Sequence, residues 1–135
     1  MVGLLIISHG SFASGLLDAA EMILGEQKQV QAHGLQPQDS PEEFFERIKL
    51  RARELDTGKG VLVLADLFGG SPANAAARLF AEELSVDVVT GASLPMLLEA
   101  LLSREREDLP SLANLCLETT AEATRKLSEI FLSQT

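Results

Sequence analysis

Val61-Leu62-Val63-Leu64-Ala65 is an unbroken apolar run that follows Gly60 and ends at the carboxylate of Asp66. A run this short, without polar residues at alternate positions, is typical of a strand buried between two helix layers of a parallel sheet. A second run of the same kind, residues 2–7, ends at Ser8-His9-Gly10. The two runs therefore predict the central strands of an α/β sheet.

Strand and helix patterns alternate along the rest of the chain. Strands are predicted over residues 2–8, 29–35, 60–66 and 86–90, and helices over residues 12–25, 41–57, 72–84 and 94–102. This alternation predicts βαβ units with parallel strands and right-handed crossovers. We therefore predict one domain, residues 1–135, with a doubly wound open α/β sheet of four parallel strands in the order 2-1-3-4 and helices on both faces.

The helix ends carry local signals. Ser40, Pro41 and Glu43 form a capping box at the start of the second helix. Ser71-Pro72 is predicted to cap the third helix in the same way, with Ser71 at the N-cap. Residues 111–126 have a helical pattern, whereas residues 127–133 fit either a continuation of that helix or a short strand.

Composition and charge exclude several classes of protein. The length of 135 residues suits one domain with its own core, and the net charge of −9 argues against binding to nucleic acid or anionic membrane. A partner with a basic patch around its own active site would suit this charge. No apolar run reaches the length of a membrane span, and no basic segment precedes the first run as in a signal peptide. We expect a cytoplasmic protein.

His9 and Asp66 follow the two most apolar strands. If those strands are neighbours, both side chains lie at the carboxyl edge of the sheet, where open α/β folds bind ligands. A carboxylate that accepts a hydrogen bond from one ring nitrogen of a histidine fixes the tautomer and leaves the other nitrogen available as a base or nucleophile. From these two residues alone, the pair is consistent with base catalysis, metal handling or binding.

The loop Gly69-Gly70-Ser71-Pro72 adds a predicted anion site beside Asp66. Two glycines expose backbone N–H groups, a helix begins directly afterwards, and Ser71 offers a hydroxyl to a phosphate oxygen. Gly10 would let a ligand approach the backbone closely, and Phe68 is a candidate partner contact or a lid over the core. The sequence has no Cys/His cluster with zinc spacing and no nucleotide-binding glycine motif, so we predict neither a metal nor a cofactor.

Five separated motifs resemble one family, the mannose-type enzyme IIA component of the bacterial phosphoenolpyruvate-dependent sugar phosphotransferase system. The resemblance runs in register from the start of the chain to about residue 103. The motifs are Ser8-His9-Gly10, residues 20–27 (AEMILGEQ), residues 55–62 (LDTGKGVL), residues 66–76 (DLFGGSPANAA) and residues 90–97 (TGASLPML).

The resemblance implies a phosphotransferase component with a phosphohistidine. His9 would accept a phosphoryl group on Nε2 from the histidine carrier protein HPr and pass it to an enzyme IIB component, during sugar uptake through membrane IIC and IID subunits. Asp66 would bond the other ring nitrogen. Ser71 and the backbone of the glycine loop would hold the phosphoryl oxygens, without a metal or nucleotide.

The resemblance also implies a homodimer in which a fifth, antiparallel C-terminal strand is exchanged between subunits. Residues 122–133 are more helix-prone than such a strand requires. Because the chain ends near Thr135, we expect enzyme IIB on a separate chain.

Three alternative classes share parts of this pattern. Class II tetrapyrrole metal chelatases have a similar first strand end, but they need a second metal-handling histidine. His33, which we expect at the surface, is poorly placed for that role. Receiver domains have an acceptor aspartate after the third strand, but they also have an acidic pair after the first, where this chain has Ser8-His9. The phosphotransfer subunit for dihydroxyacetone kinase shares the fold and the histidine, and the loop over residues 68–72 favours the sugar-transport type.

Overall fold

The computed structural model describes residues 1–132 as an α/β fold with one parallel sheet, strand order β2-β1-β3-β4. The strands are β1 (Gly3–His9), β2 (Val30–Leu35), β3 (Val61–Ala65) and β4 (Val86–Thr90). The helices are α1 (Phe12–Leu24), α2 (Pro41–Leu55), α3 (Ser71–Ala77), α4 (Leu94–Ser103), α5 (Leu109–Ala123) and α6 (Leu127–Phe131). The predicted fold class and the strand order 2-1-3-4 are confirmed.

Successive residues of the central strands are buried on opposite faces of the sheet. Leu62 and Leu64 of β3 belong to the core beneath α1, α4 and α5. Val61, Val63 and Ala65 belong to the second core, beneath α2 and α3. A strand alternates its side chains between the two faces, so an all-apolar run is stable only where helices cover both.

Most helix ends agree with the sequence signals, and the start of α3 does not. The Ser40 hydroxyl accepts the backbone N–H of Glu43 at 3.0 Å, as the capping box predicts. The N-cap of α3 is Gly70, without a side-chain capping bond, and Ser71 is the first helical residue. The predicted capping role of Ser71 is therefore wrong. The predicted third helix is also shorter than expected, because its last turn, Arg78–Ala81, tightens into a 3₁₀ helix.

The C-terminal segment forms a short helix rather than a fifth strand in the described part of the chain. Helix α5 ends at Ala123, and after three residues α6 spans Leu127–Phe131 without a buried side chain. Helix formers fill this segment, and nothing in the single chain pairs with it as a strand. Residues 1–132 of the single chain thus contain four strands and no fifth, and Ser133 of the segment predicted as helix or strand lies outside them.

Arg104, the residue after α4, is buried at the amino edge of the sheet. Its guanidinium donates to the backbone carbonyls of Gln29, at 2.9 Å, and Lys28. It thereby joins the end of α4 to the start of β2. Within residues 1–132, no helix has the length and apolarity that crossing a bilayer requires.

At the opposite edge, Gly34 allows β2 to approach the loop that follows β1. Gly34 pairs with Ser8 in register, and a Cβ at Gly34 would lie 1.8 Å from the carbonyl oxygen of Gly10. Any side chain at Gly34 would therefore displace the residue that follows His9.

We predict that Gly34→Ala destabilises the fold by ~1–3 kcal/mol, because its methyl group overpacks against backbone that cannot move aside. Gly15→Ala is the matched control: no atom lies within 4 Å of its added Cβ, and helix propensity favours alanine by up to ~1 kcal/mol. Urea denaturation of both variants measures the difference. Equal stabilities of the two variants would contradict the close approach.

Candidate active site

The register of the two central strands brings His9 and Asp66 together. Strands β1 and β3 are parallel neighbours, with Ile7 opposite Ala65. His9 is the last residue of β1, and Asp66 follows β3 directly. The backbone N–H of Asp66 donates to the carbonyl of Ile7 at 3.2 Å, which extends the ladder into the site. The juxtaposition expected from the sequence is therefore present.

A single carboxylate oxygen holds both the backbone and the ring of His9. Asp66 Oδ2 accepts the backbone N–H of His9 at 2.9 Å and lies 2.8 Å from His9 Nδ1. An ionised carboxylate can only accept, so Nδ1 carries a proton, and in the neutral imidazole Nε2 then keeps its lone pair. The His9 side chain is 51% exposed and that of Asp66 is 14% exposed, so the carboxylate is covered while the ring faces solvent.

The surroundings of Asp66 keep its carboxyl ionised. Burial by itself acts to raise the pKa of Asp66, but the two hydrogen bonds and the charge interaction with His9 and the N–H of Leu67 outweigh it. The net effect holds the pKa of Asp66 below its ordinary value. The acceptor that orients His9 is therefore charged throughout the neutral pH range.

The glycine loop contacts the other side of the imidazole. Gly69 has a φ of +81°, which favours glycine, and the N–H of Gly70 donates to the carbonyl of Leu67 at 3.1 Å. A Cβ on Gly70 would lie 2.9 Å from His9 Cε1. The His9 ring can therefore pack against the loop only because Gly70 has no side chain.

Ser71 and Phe68 lie at the rim of this arrangement. Ser71 is exposed and lines a shallow cavity with Pro41, Asn74 and Arg78. Phe68 is 85% exposed at the tip of the loop, so it does not cover the core. The structure thus brings His9 into contact with Asp66 and Gly70, and Ser71 follows Gly70 in the chain.

Gly10 follows His9 with a φ of +51°, a backbone conformation that favours glycine.

The structural positions of two residues, His33 and Gly34, differ from what the sequence predicted. His33 was expected at the surface but is partly buried on β2, where Nε2 lies 2.9 Å from Gln31 Oε1. Burial, Arg51 and Arg47 all lower the pKa of His33. Gly34 had no predicted role, although a glycine at a strand end was a signal for a close backbone approach. Residues 1–132 contain no group of three or more side chains able to hold a metal ion.

Fold and site together define an α/β protein whose site is an oriented, accessible histidine at the carboxyl edge of a doubly wound parallel sheet. Residues 3–116 match the family model described as "PTS system fructose IIA component". The chain belongs to this family, the EIIA-man family of IIA components of the sugar phosphotransferase system. Components of this family carry phosphoryl groups.

The relatives are sugar-specific components. The chain is 38% identical over 127 residues to the PTS system mannose-specific EIIAB component of Escherichia coli, a match that covers 93% of this chain and 39% of that protein. It therefore spans well under half of that relative. It is 34% identical over 114 residues to the fructose-specific EIIA component of Bacillus subtilis, covering 84% of this chain and 78% of that protein.

Solved structures agree with the family assignment. The phosphotransferase system component EIIA from Streptococcus agalactiae superposes with a TM-score of 0.87 at 29% identity, covering 95% of this chain and 98% of that one. The resemblance to the mannose-type IIA family is thus confirmed. Neither the chelatase nor the dihydroxyacetone kinase alternative gains support from these relatives.

We predict that Asp66→Asn lowers stability at pH 7, because it removes a charged acceptor of two hydrogen bonds. The folded state holds the pKa of Asp66 below its unfolded value, so this stabilisation is present above pH ~4 and is lost as the pH falls through the lower folded value. The difference in unfolding free energy between the wild type and Asp66→Asn should therefore shrink below pH ~4. Chemical denaturation at pH 7 and pH 3 measures it, and a pH-independent difference would contradict this assignment.

Proposed function

We propose that this chain is a phosphoryl carrier in which His9 accepts a phosphoryl group from phospho-HPr and passes it to an enzyme IIB component. The observation that carries the proposal is the 2.8 Å contact between His9 Nδ1 and Asp66 Oδ2, which leaves Nε2 as the free, exposed nitrogen. Family membership supports the class of reaction, and the contact supports Nε2 as the reacting atom.

The proposed chemistry is displacement at phosphorus. The lone pair of His9 Nε2 forms a P–N bond while the P–N bond to the donor histidine breaks, and the donor ring keeps that electron pair. The His9 ring becomes cationic as the bond forms, and the ionised carboxylate of Asp66 stabilises this charge through the Nδ1 proton. Transfer to enzyme IIB reverses these roles at Nε2. Such transfers depend chiefly on positioning and charge stabilisation.

The phosphoryl oxygens need hydrogen-bond donors close to Nε2. We propose that the backbone N–H of Gly69 and the hydroxyl of Ser71 supply them, while Gly10 and Gly70, whose own N–H groups donate to Leu35 and Leu67, leave space for the phosphoryl group. Support comes from the position of Gly70 against the His9 ring and from the free hydroxyl of Ser71, which does not cap α3. The proposal requires no metal or nucleotide.

The rim of the site suits protein partners. Phe12, at the start of α1, and Leu67 and Phe68, on the loop after β3, are exposed apolar residues near His9. Exposed aromatic and aliphatic side chains beside a reactive group are typical of a docking surface. We propose that HPr and enzyme IIB bind here in turn, in the cytoplasm, and that membrane IIC and IID subunits act downstream. The net charge of −9 favours partners with basic surfaces.

We also propose a homodimer. Leu127, Ile130 and Phe131 of α6, a helix without a buried residue, and Leu132 directly after it are exposed, and β4 is an edge strand of the sheet. A second copy that covers this C-terminal apolar face would remove it from water.

Incubation with phosphoenolpyruvate, enzyme I and HPr tests the carrier proposal. We expect an acid-labile, base-stable phosphate on the wild type and none on His9→Ala, because Nε2 is the only atom that forms the new bond. His33→Ala is the matched control and should be labelled at the wild-type rate. Label that persists in His9→Ala ends the proposal.

For the dimer, we predict that Phe131→Asp converts the protein to a monomer, because a carboxylate would be buried in the interface. Light scattering after size-exclusion chromatography measures the mass. Leu50→Asp, at an exposed leucine of α2 on the other side of the sheet, is the control and should leave the mass unchanged. A wild type that is already monomeric at micromolar concentration refutes the dimer.

A further inference from the structure

Ser8 is a buried polar residue directly before His9. Its side chain is fully enclosed at the end of β1, where it pairs in register with Gly34. Even-numbered residues of β1, such as Leu4 and Ile6, face the core beneath α1. Ser8 continues this alternation, so its hydroxyl points from the strand end towards the start of α1.

The Ser8 hydroxyl serves as the cap of α1 from outside the helix. Its Oγ accepts the backbone N–H of Ala13 at 2.7 Å in a buried environment. Ser11 occupies the N-cap position itself, yet its side chain makes no capping bond. The side chain that caps the first turn of α1 therefore belongs to the strand end and not to the N-cap residue.

This hydrogen bond closes a short loop of chain that contains His9. The chain leaves Ser8, passes through His9 and Gly10, and returns at Ala13 to the same side chain. Within this loop, the N–H of His9 donates to Asp66 at 2.9 Å and the N–H of Gly10 donates to Leu35 at 2.8 Å. Hydrogen bonds therefore connect the backbone around His9 to the end of β3, to β2 and, through Ser8, to α1.

We propose that Ser8 is a positioning residue for phosphoryl transfer, holding the His9 backbone so that the imidazole keeps its bond to Asp66 and presents Nε2 in one direction. The inference rests on the proposed carrier function. Phosphoryl transfer is sensitive to such placement, since a displacement of 1 Å can cost ~10²-fold in rate. Without the hydroxyl, the hydrogen bond between the end of β1 and the backbone N–H of Ala13 is lost, and the turn over residues 9–12 is less restrained.

A purely structural role for Ser8 predicts something different. If the hydroxyl only capped α1, its loss would lower stability and leave both the ring of His9 and the transfer rate of the folded protein unchanged. The two roles are therefore separated by measurements on His9 itself.

The test compares Ser8→Ala with Ser11→Ala, a serine that lies in the same turn but does not cap the helix. The ¹⁵N chemical shifts of the His9 ring report the tautomer, and transfer from phospho-HPr gives the rate at saturating donor and the donor concentration for half-saturation. For Ser8→Ala we expect a mixture of tautomers and a saturating rate at least ~10-fold lower, with half-saturation within ~2-fold of the wild type. Ser11→Ala should match the wild type in all three.

Two further variants keep the result interpretable if Ser8→Ala folds poorly. Ser8→Thr retains the hydroxyl and should restore the tautomer and the rate. Ser8→Cys nearly retains the size with a weak acceptor and should behave like Ser8→Ala. A wild-type tautomer and a wild-type saturating rate in folded Ser8→Ala or Ser8→Cys would overturn the proposal. So would a variant in which only the donor concentration for half-saturation changes. A wild type that takes no phosphoryl group would refute the carrier function, and the ring shifts would still decide the role of Ser8.

Discussion

One carboxylate oxygen organises this site. Asp66 Oδ2 accepts hydrogen bonds from the backbone and the ring of His9, at 2.9 and 2.8 Å, so a single atom determines both where the residue lies and which ring nitrogen is free. Hydrogen bonds to a charged acceptor are stronger than neutral ones, and Asp66 remains charged because these same bonds outweigh the cost of its burial. The exposed nitrogen of His9 therefore depends on a largely covered carboxylate on the next strand.

The parallel sheet provides this contact because its strands end together. β1 and β3 are held in register by backbone bonds and by apolar residues on both faces, so the positions of His9 and Asp66 follow from the packing of two cores. Glycines then allow the surrounding loops to come close. Gly34 admits the carbonyl of Gly10, and Gly70 admits the His9 ring. A site built on strand ends in this way has little freedom to shift, which suits a reaction governed by placement.

Much of this arrangement could be predicted from residue patterns. The all-apolar run over residues 61–65 indicates a strand buried on both faces, and the capping box at Ser40 marks the start of α2, because both signals are local. The adjacency of His9 and Asp66 followed from the two most apolar strands being neighbours. Other features were missed where the deciding partner is distant in sequence. The burial of Arg104 depends on carbonyls some 75 residues away, and no local pattern signals it. Ser71 was predicted at the N-cap position that Gly70 occupies instead, since both residue types are common at that position.

Local patterns were enough to predict the alternation of strands and helices, the two apolar faces of the central strands and the residue types at their carboxyl ends, because hydrophobic periodicity and capping depend on near neighbours in the chain. Which atoms meet follows only from the packing of the folded chain. The tautomer of His9, the fit of Gly70 against its ring and the bond between Ser8 and the start of α1 require distances between groups on different elements. Hydrogen bonds and close contacts vary over fractions of an ångström, and only the packed sheet and helices set separations on that scale.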